Sequence, residues 1–220
     1  VKCGFKSKNV LKKAFDGIIE FDFSVDKSKQ KFNNYFINTF KFNQVWGQLI
    51  KRDVIGDNRF DITIRMGEDY KFNFYIYNSS NRILVIPECL YIYSINDAGI
   101  NYNKNKDIIL IKVLDIIKVY HELYNIDHNK LFLIRMFEVL FSQISNFNLF
   151  DFNYDIFEII RKNKYMIDVL ELELRGFNLY NYIKFYFFKH NKFELFKIII
   201  RIEIFYKLLL KKLKGGAYNK

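Results

Sequence analysis

Apolar residues follow two different patterns along the chain, and the pattern changes near residue 103. Before that point, short runs with strand-like alternation lie among stretches with helical spacing. From residue 106 onward, helical spacing continues almost without a break. The sequence therefore predicts an α/β region over residues 1–103 and an α-helical region over residues 104–220.

The first region is predicted to contain four strands and two main helices. We place the strands at 1–5, 17–23, 83–86 and 90–95, and the helices at 28–40 and 68–77. Pro87 is predicted to end the third strand, because proline cannot donate a hydrogen bond to a ladder. Ser24 or Ser28 is the expected cap of the first helix. The polar stretch over 96–105 predicts a loop, either a lid or an ordinary connection.

The second region is predicted to be a series of helices. They are expected at 106–124, 127–146, 151–163, 166–175, 179–190 and 193–213. Asp127 is the predicted cap of the second of these helices, and Gly176 could end the fourth. Isoleucines alternate with Arg201 and Glu203 over 198–204, so a strand also fits there.

Two adjacent carboxylates mark the start of the helix at 68–77. Glu68 and Asp69 follow Gly67 and fall in the first turn, where free amides and the helix dipole favour ionised acids. One interpretation is simply a capped helix. The other is a general base, because a carboxylate on a rigid helix start can take a proton from a hydroxyl within hydrogen-bond reach.

Four ordered motifs carry a family resemblance. They are Trp46-Gly47 with Leu49 and Lys51-Arg52, then Arg59-Phe60-Asp61, Glu68-Asp69, and Leu90-Tyr91-Ile92-Tyr93. Together with the opening strand VKCGF they resemble the second half of the catalytic domain of family 2 glycosyltransferases, the inverting GT-A-type enzymes that build surface polysaccharides. Two positions depart from that pattern, since Ser94 stands where arginine is frequent and Gln48 where lysine is frequent.

The resemblance implies a fold, a reaction and a set of site residues. It implies the acceptor-side half of a GT-A domain, with Asp69 as the catalytic base and Glu68 as its neighbour. Trp46, Gly67 and the pair Lys51 and Arg52 would line the acceptor side. The donor would be a nucleotide-sugar and the acceptor a glycan or a lipid-linked glycan.

The resemblance also implies machinery that lies upstream of this stretch. Family members bind Mg²⁺ or Mn²⁺ through a D-x-D pair in the nucleotide-binding half, and this sequence contains no D-x-D. The metal ligands are therefore not expected in this chain. We expect the 220 residues to be a fragment that begins mid-domain and is inactive by itself.

Composition narrows the alternatives. Half of the residues are apolar and 19% are aromatic, which excludes a disordered chain. The net charge of +11 favours an anionic partner, although the same bias follows from an A/T-rich coding sequence. The two cysteines and three histidines show no metal-ligand spacing. Basic residues interleave with aromatic ones near 182–192, but no nucleic-acid-binding motif accompanies them, so no nucleic-acid partner is expected.

The last predicted helix leaves two interpretations open. It is rich in Ile, Leu and Phe, and from Lys207 onward it carries lysines and no acid. Such a helix could lie on an anionic membrane surface, or it could belong to a helical bundle. We expect a cytoplasmic protein, associated with the cytoplasmic face of a membrane if this helix binds lipid. The competing function is a non-catalytic membrane-surface or helical interaction module in which the Glu68-Asp69 pair is only a cap.

Overall fold

The computed structural model describes residues 1–7, 10–12, 16–39, 42–92, 94, 105–145, 152–171 and 177–215. The chain divides into two compact units, Val1–Tyr102 and Asn103–Lys220, with the boundary one residue from the predicted position. Residues 96–104 of the predicted loop, the proposed helix end at Gly176 and the last tyrosine of the fourth motif, Tyr93, lie outside the described residues.

Unit 1 contains a mixed four-stranded sheet. Its strands are β1 (Lys2–Ser7), β2 (Val10–Lys12), β3 (Ile19–Asp22) and β4 (Arg82–Ile92), in the order β2-β1-β4-β3. The neighbours β1 and β4 run parallel, whereas β2 and β3 pair antiparallel with them at the two edges. The parallel pair connects residues about 80 positions apart, so the centre of the sheet depends on long-range contacts.

The prediction that Pro87 separates two strands is wrong, because β4 runs through it as one strand of 11 residues. The pairing register of β1 and β4 explains how β4 accommodates a proline. On β1 the paired positions advance from Lys2 to Gly4, while on β4 they advance from Val85 to Cys89. The extra residues on β4 form a bulge around Pro87, and a bulge is where a strand tolerates a residue without an N–H.

The described residues of unit 1 also form three helices: α1 (Asp26–Asn38), α2 (Arg52–Ile55) and α3 (Glu68–Asn78). The predicted serine caps of α1 are wrong. Its N-cap residue is Val25, which provides no side-chain hydrogen bond. The Ser28 hydroxyl instead accepts from the Asp22 amide at 3.0 Å, and the Ser24 hydroxyl donates to the Asp22 carboxylate at 2.7 Å, so both serines fix the turn before the helix.

Unit 2 is helical throughout its described residues. Its helices are α4 (Lys106–Asp127), α5 (Leu131–Ile144), α6 (Tyr154–Arg161), α7 (Lys164–Glu171), α8 (Leu179–Lys189) and α9 (Phe193–Gly215). The predicted cap at Asp127 is wrong, because that residue is the last of α4. The N-cap residue of α5 is Lys130, which provides no side-chain hydrogen bond, and the Asn129 side chain before it accepts from the Leu131 amide at 3.0 Å. Residues 198–204 are helical within α9, which decides against the strand.

Phenylalanines form the core of unit 2. The fully buried members are Phe132, Phe137, Phe141, Phe157, Phe188 and Phe196. Phe157 of α6 lies 5.2 Å from the Phe188 ring of α8 and 5.5 Å from the Phe196 ring of α9, measured between centroids. Such tilted and edge-on aromatic pairs add to the stability that burial of the rings provides.

Candidate functional site

The start of α3 follows a glycine in a left-handed conformation. Gly67 has φ 94° and ψ 2°, a region that side chains disfavour. Its carbonyl accepts from the Lys71 amide at 2.9 Å and so begins the helix. Glu68 and Asp69 then occupy the first turn, as the sequence predicted, and both are partly exposed. The positive end of the helix dipole therefore faces two carboxylates.

Asp69 is bound to a segment remote in sequence. Its carboxylate accepts a hydrogen bond from the backbone amide of Val45 and feels the positive charge of Lys2. Burial nevertheless raises the pKa of Asp69 above its usual value of 3.8, because desolvation of the charged form outweighs both of these effects. The carboxylate is thus half-buried, fixed in position and more basic than an ordinary aspartate.

Lys2 lies beneath the same segment. It is 3% exposed, and its Nζ donates to the Gln44 carbonyl at 2.9 Å and to the Trp46 carbonyl at 2.8 Å. The Nζ also lies 5.1 Å from the centroid of the Trp46 ring. Burial lowers the pKa of Lys2 to about 8, against the opposing influence of Cys3 and Asp69.

A buried asparagine completes the attachment of this segment to α3. Asn73 has no exposed surface, donates to the Phe42 carbonyl at 2.7 Å and accepts from Gln48 at 3.3 Å. Because Asn73 follows Asp69 by one helical turn, both side chains lie on the same face of α3. We call residues 42–48 the bound segment, since α3 and Lys2 hold it on two sides.

The bound segment presents an aromatic pair. The Trp46 ring stacks on the Tyr91 ring of β4, with centroids 5.0 Å apart and planes inclined by 15°. Trp46 remains partly exposed. A flat, partly exposed indole held by a second ring is a surface on which a sugar ring can stack.

The Arg59-Phe60-Asp61 motif holds its own loop against α3. Phe60 stacks on Phe72 at 4.3 Å, and Asp61 accepts from Lys71 at 3.0 Å and from the Thr63 hydroxyl at 2.6 Å. The hydrogen bond from Thr63 and that from Lys71 keep the pKa of Asp61 well below its usual value. This motif is therefore structural, and it fixes the loop that leads into Gly67.

The structure brings together only some of the predicted site residues. Asp69 is hydrogen-bonded to the bound segment, which contains Trp46, and Gly67 and Glu68 precede Asp69 in the chain. Lys51 and Arg52 are exposed at the start of α2, and no described contact joins either of them to Asp69. A cavity of about 840 Å³ lies in unit 1, and its lining includes Lys2, Gln48 and Lys51 but not Asp69.

Sequence reasoning missed two residues of the site, Lys2 and Asn73. The sequence contains a feature that could have identified each of them. Lys2 is a charge beside the apolar residues of a predicted strand, and Asn73 is an amide between phenylalanines in the middle of a helix. A polar residue at a position expected to be buried requires a partner, and here both partners are carbonyls of the bound segment.

The described residues do not supply a metal site. Among them, no group of three or more His, Cys, Asp or Glu side chains lies close enough together to hold an ion. The divalent cation that the resemblance implies therefore finds no ligand set in the described part of the chain.

None of the described helices is both long and apolar enough to cross a bilayer.

Comparison with known proteins returns no relative. No protein-family model matches the chain, and neither a characterised protein nor a solved structure shows significant similarity to it.

Proposed function

We propose that unit 1 is the acceptor-side half of a GT-A-type glycosyltransferase. The enzyme would transfer a sugar from a nucleotide-sugar to a glycan or lipid-linked acceptor, with inversion, in the synthesis of a surface polysaccharide. The observation that carries the proposal is the position of Asp69. It is a half-buried carboxylate with a raised pKa, hydrogen-bonded to the residue that precedes a partly exposed tryptophan.

The proposed step needs one base. An acceptor hydroxyl gives its proton to the Asp69 carboxylate while its oxygen forms a bond to the anomeric carbon of the donor sugar. The bond from that carbon to the diphosphate oxygen breaks, and the nucleoside diphosphate leaves with the electron pair. A raised pKa makes the carboxylate a better proton acceptor, and the Val45 amide and Lys2 favour the ionised form from which it acts.

The other residues would position the acceptor. A sugar ring would lie against the Trp46 face that Tyr91 supports, while Gly67 lets the backbone turn closely beneath it. Glu68 would face the acceptor from the same helical turn. Lys51 and Arg52 would bind the acceptor farther from the reacting hydroxyl, because they lie exposed on α2. No step runs through a metal ion.

A second function rests on the same contacts. Asp69 could serve only as an anchor, holding the bound segment through the Val45 amide and Lys2 in a protein without catalysis. This replaces the simple cap, since the residue at the N-cap of α3 is Gly67, which has no side chain to cap it. The two functions differ in what they require of Asp69: a base needs its charge, whereas an anchor needs only an acceptor oxygen.

Asp69→Asn in the natural gene product tests this difference. An asparagine Oδ1 still accepts from the Val45 amide but cannot take a proton. We expect transfer from a panel of nucleotide-sugars to glycan and lipid-linked acceptors to fall roughly 100- to 10,000-fold. Stability toward urea should stay near that of the wild type.

Two further variants make the result specific. Asp69→Ala removes the acceptor oxygen as well and should lower both stability and transfer. Asp53→Asn changes an exposed aspartate in the first turn of α2 and should change neither. Transfer by Asp69→Asn at the wild-type rate would refute the catalytic role.

A further inference from the structure

The helices α8 and α9 pack on the same core residues. Phe188 of α8 and Phe196 of α9 both contact Phe141, at 6.0 Å and 5.5 Å between ring centroids, and both contact Phe157. The side of α8 that carries Phe188 and the side of α9 that carries Phe196 therefore face the interior of unit 2. The opposite sides of the two helices face outward.

A buried ion pair joins the two helices. Lys184 of α8 is 4% exposed, and its Nζ lies 3.1 Å from a carboxylate oxygen of Glu203 on α9. The Tyr180 hydroxyl donates to the same carboxylate at 3.2 Å. These contacts fix α9 against α8 at Glu203, near the middle of α9, so the two helices lie side by side there.

That outer surface is apolar and aromatic. On α9 five exposed apolar residues follow alternating steps of three and four: Leu195, Ile198, Ile202, Phe205 and Leu209, with exposed fractions of 47%, 49%, 59%, 68% and 43%; Tyr206 beside them is also exposed. At 100° per residue these positions lie opposite the buried Phe193, Phe196 and Ile200. On α8, Leu179, Tyr182 and Tyr186 are exposed on the side opposite the buried Lys184 and Phe188, and Tyr180 is exposed as well. We call Leu179, Tyr182, Tyr186 and the five exposed apolar residues of α9 the outer face.

Charge distinguishes between the occupants that an apolar surface could bind. The sequence of α9 contains the bases Lys197, Arg201, Lys207, Lys211, Lys212 and Lys214 and the acids Glu194 and Glu203, and no acid follows Glu203. A second copy of the chain would bring the same positive charge to the contact. An anionic lipid surface instead complements it, and such a surface attracts lysines near it.

We propose that the outer face of α8 and α9 docks on an anionic lipid bilayer, with the helices lying in the interface. Phenylalanine and leucine side chains would enter the boundary of the acyl chains, and tyrosines would remain at the level of the headgroups. The excess of basic residues in the α9 sequence would attract the anionic headgroups. This docking is independent of the proposed transfer reaction, because it uses only residues of unit 2.

Co-sedimentation of the full chain with lipid vesicles tests the proposal. We expect binding to vesicles of phosphatidylglycerol and phosphatidylcholine, much weaker binding to phosphatidylcholine alone, and a loss of binding as salt screens the charges. The variant Ile202→Ser/Phe205→Ser removes two apolar side chains from the outer face. It should bind the anionic vesicles at least about tenfold more weakly while keeping the helical circular dichroism of the wild type.

Matched variants separate the apolar and the charged contributions. Ile126→Ser replaces an exposed isoleucine of α4 that lies outside the outer face, and it should bind as the wild type does. Lys211→Gln/Lys212→Gln should weaken binding to anionic vesicles by roughly 30-fold at low salt.

Three results would refute the proposal. One is equal binding of the wild type to both kinds of vesicle. Another is unchanged binding of the Ile202→Ser/Phe205→Ser variant. The third is a wild-type dimer that binds no vesicles and that this same variant dissociates, because the outer face would then be an interface between two copies.

Discussion

The two units begin their helices in different ways. In unit 2, asparagine side chains cap three helices: Asn105 accepts from the Asp107 amide, Asn153 from the Ile156 amide and Asn178 from the Asn181 amide, at 2.8 to 3.0 Å. In unit 1, α1, α2 and α3 begin after Val25, Lys51 and Gly67, and none of these residues provides a side-chain cap. Side-chain caps thus specify three helix starts in unit 2, whereas the three described helices of unit 1 begin without one.

The buried polar residues of the two units also differ in the kind of partner that they bond. In unit 2, Lys184 joins two regular helices through Glu203. In unit 1, Lys2 and Asn73 donate to carbonyls of the bound segment, which has no regular structure to satisfy them. The candidate site therefore lies where a segment is held by long-range polar contacts, and local rules of sequence do not determine it.

The largest loss of stability should follow from a substitution in the aromatic core of unit 2. Phe157→Ala removes a fully buried ring that contacts two other helices, and we expect unfolding free energy to fall by about 3–5 kcal/mol. Urea denaturation followed by circular dichroism measures this loss. Phe205→Ala is the matched control, since its ring is 68% exposed and its removal should cost little. Equal losses in the two variants would contradict the assigned core.

A pH-dependent effect should identify the buried lysine of unit 1. The pKa of Lys2 is about 8 in the folded protein and 10.5 in an unfolded chain. Between these values the unfolded state binds more protons, so the Lys2 contribution to stability rises with pH across this window and is flat below it. The rise amounts to about 3 kcal/mol for a shift of this size.

Comparison with Lys2→Met isolates that contribution. The difference in unfolding free energy between wild type and variant should grow from pH 8 to pH 10.5, because the methionine cannot titrate. The variant also loses the hydrogen bonds from Lys2 to the Gln44 and Trp46 carbonyls, while Gln48 still donates to the Gln44 carbonyl. Urea unfolding at several pH values gives the curve, and Lys51→Met, at an exposed lysine, serves as the control. Parallel curves for wild type and Lys2→Met would show that Lys2 is not buried in this way.

How much the sequence could predict follows from the same comparison. Helical spacing placed all six helices of unit 2 to within a few residues, because their apolar faces repeat at 3.6 residues and their loops carry asparagine. In unit 1 the helix at Glu68 was also predicted, but the single strand through Pro87 was not. A bulge depends on the register of the neighbouring strand, which no local pattern contains.

The candidate site was predicted in part for a similar reason. Asp69 and Trp46 stood out by residue type, and a motif placed them in one region of the fold. The contacts that join them pass through the Val45 amide, which bonds Asp69, and through Lys2, which lies 44 positions before Trp46 in the sequence. Whether Asp69 acts as a base or as an anchor remains the prediction that Asp69→Asn tests.

An intermediate effect is expected from the buried amide of α3. Asn73→Ala removes the buried hydrogen bond from Asn73 to the Phe42 carbonyl, and we expect the free energy of unfolding to fall by about 1–3 kcal/mol. Asn78→Ala, at the exposed end of the same helix, should change stability by much less. Thermal or urea unfolding of both variants measures the two losses of stability. Equal stability of Asn73→Ala and wild type would mean that the bound segment does not depend on α3.

The smallest effect should separate a true helix cap from a serine that only resembles one. Asn153→Ala removes the side chain that accepts from the Ile156 amide at 3.0 Å, and we expect a loss of about 1 kcal/mol. Ser24→Ala removes a hydroxyl that donates to Asp22 in an exposed turn and does not cap α1, so its loss should be no more than about 0.5 kcal/mol. Urea unfolding resolves the two values. A larger loss for Ser24→Ala than for Asn153→Ala would reverse the contrast between the units, because α1 would then depend on its local sequence more than α6 does.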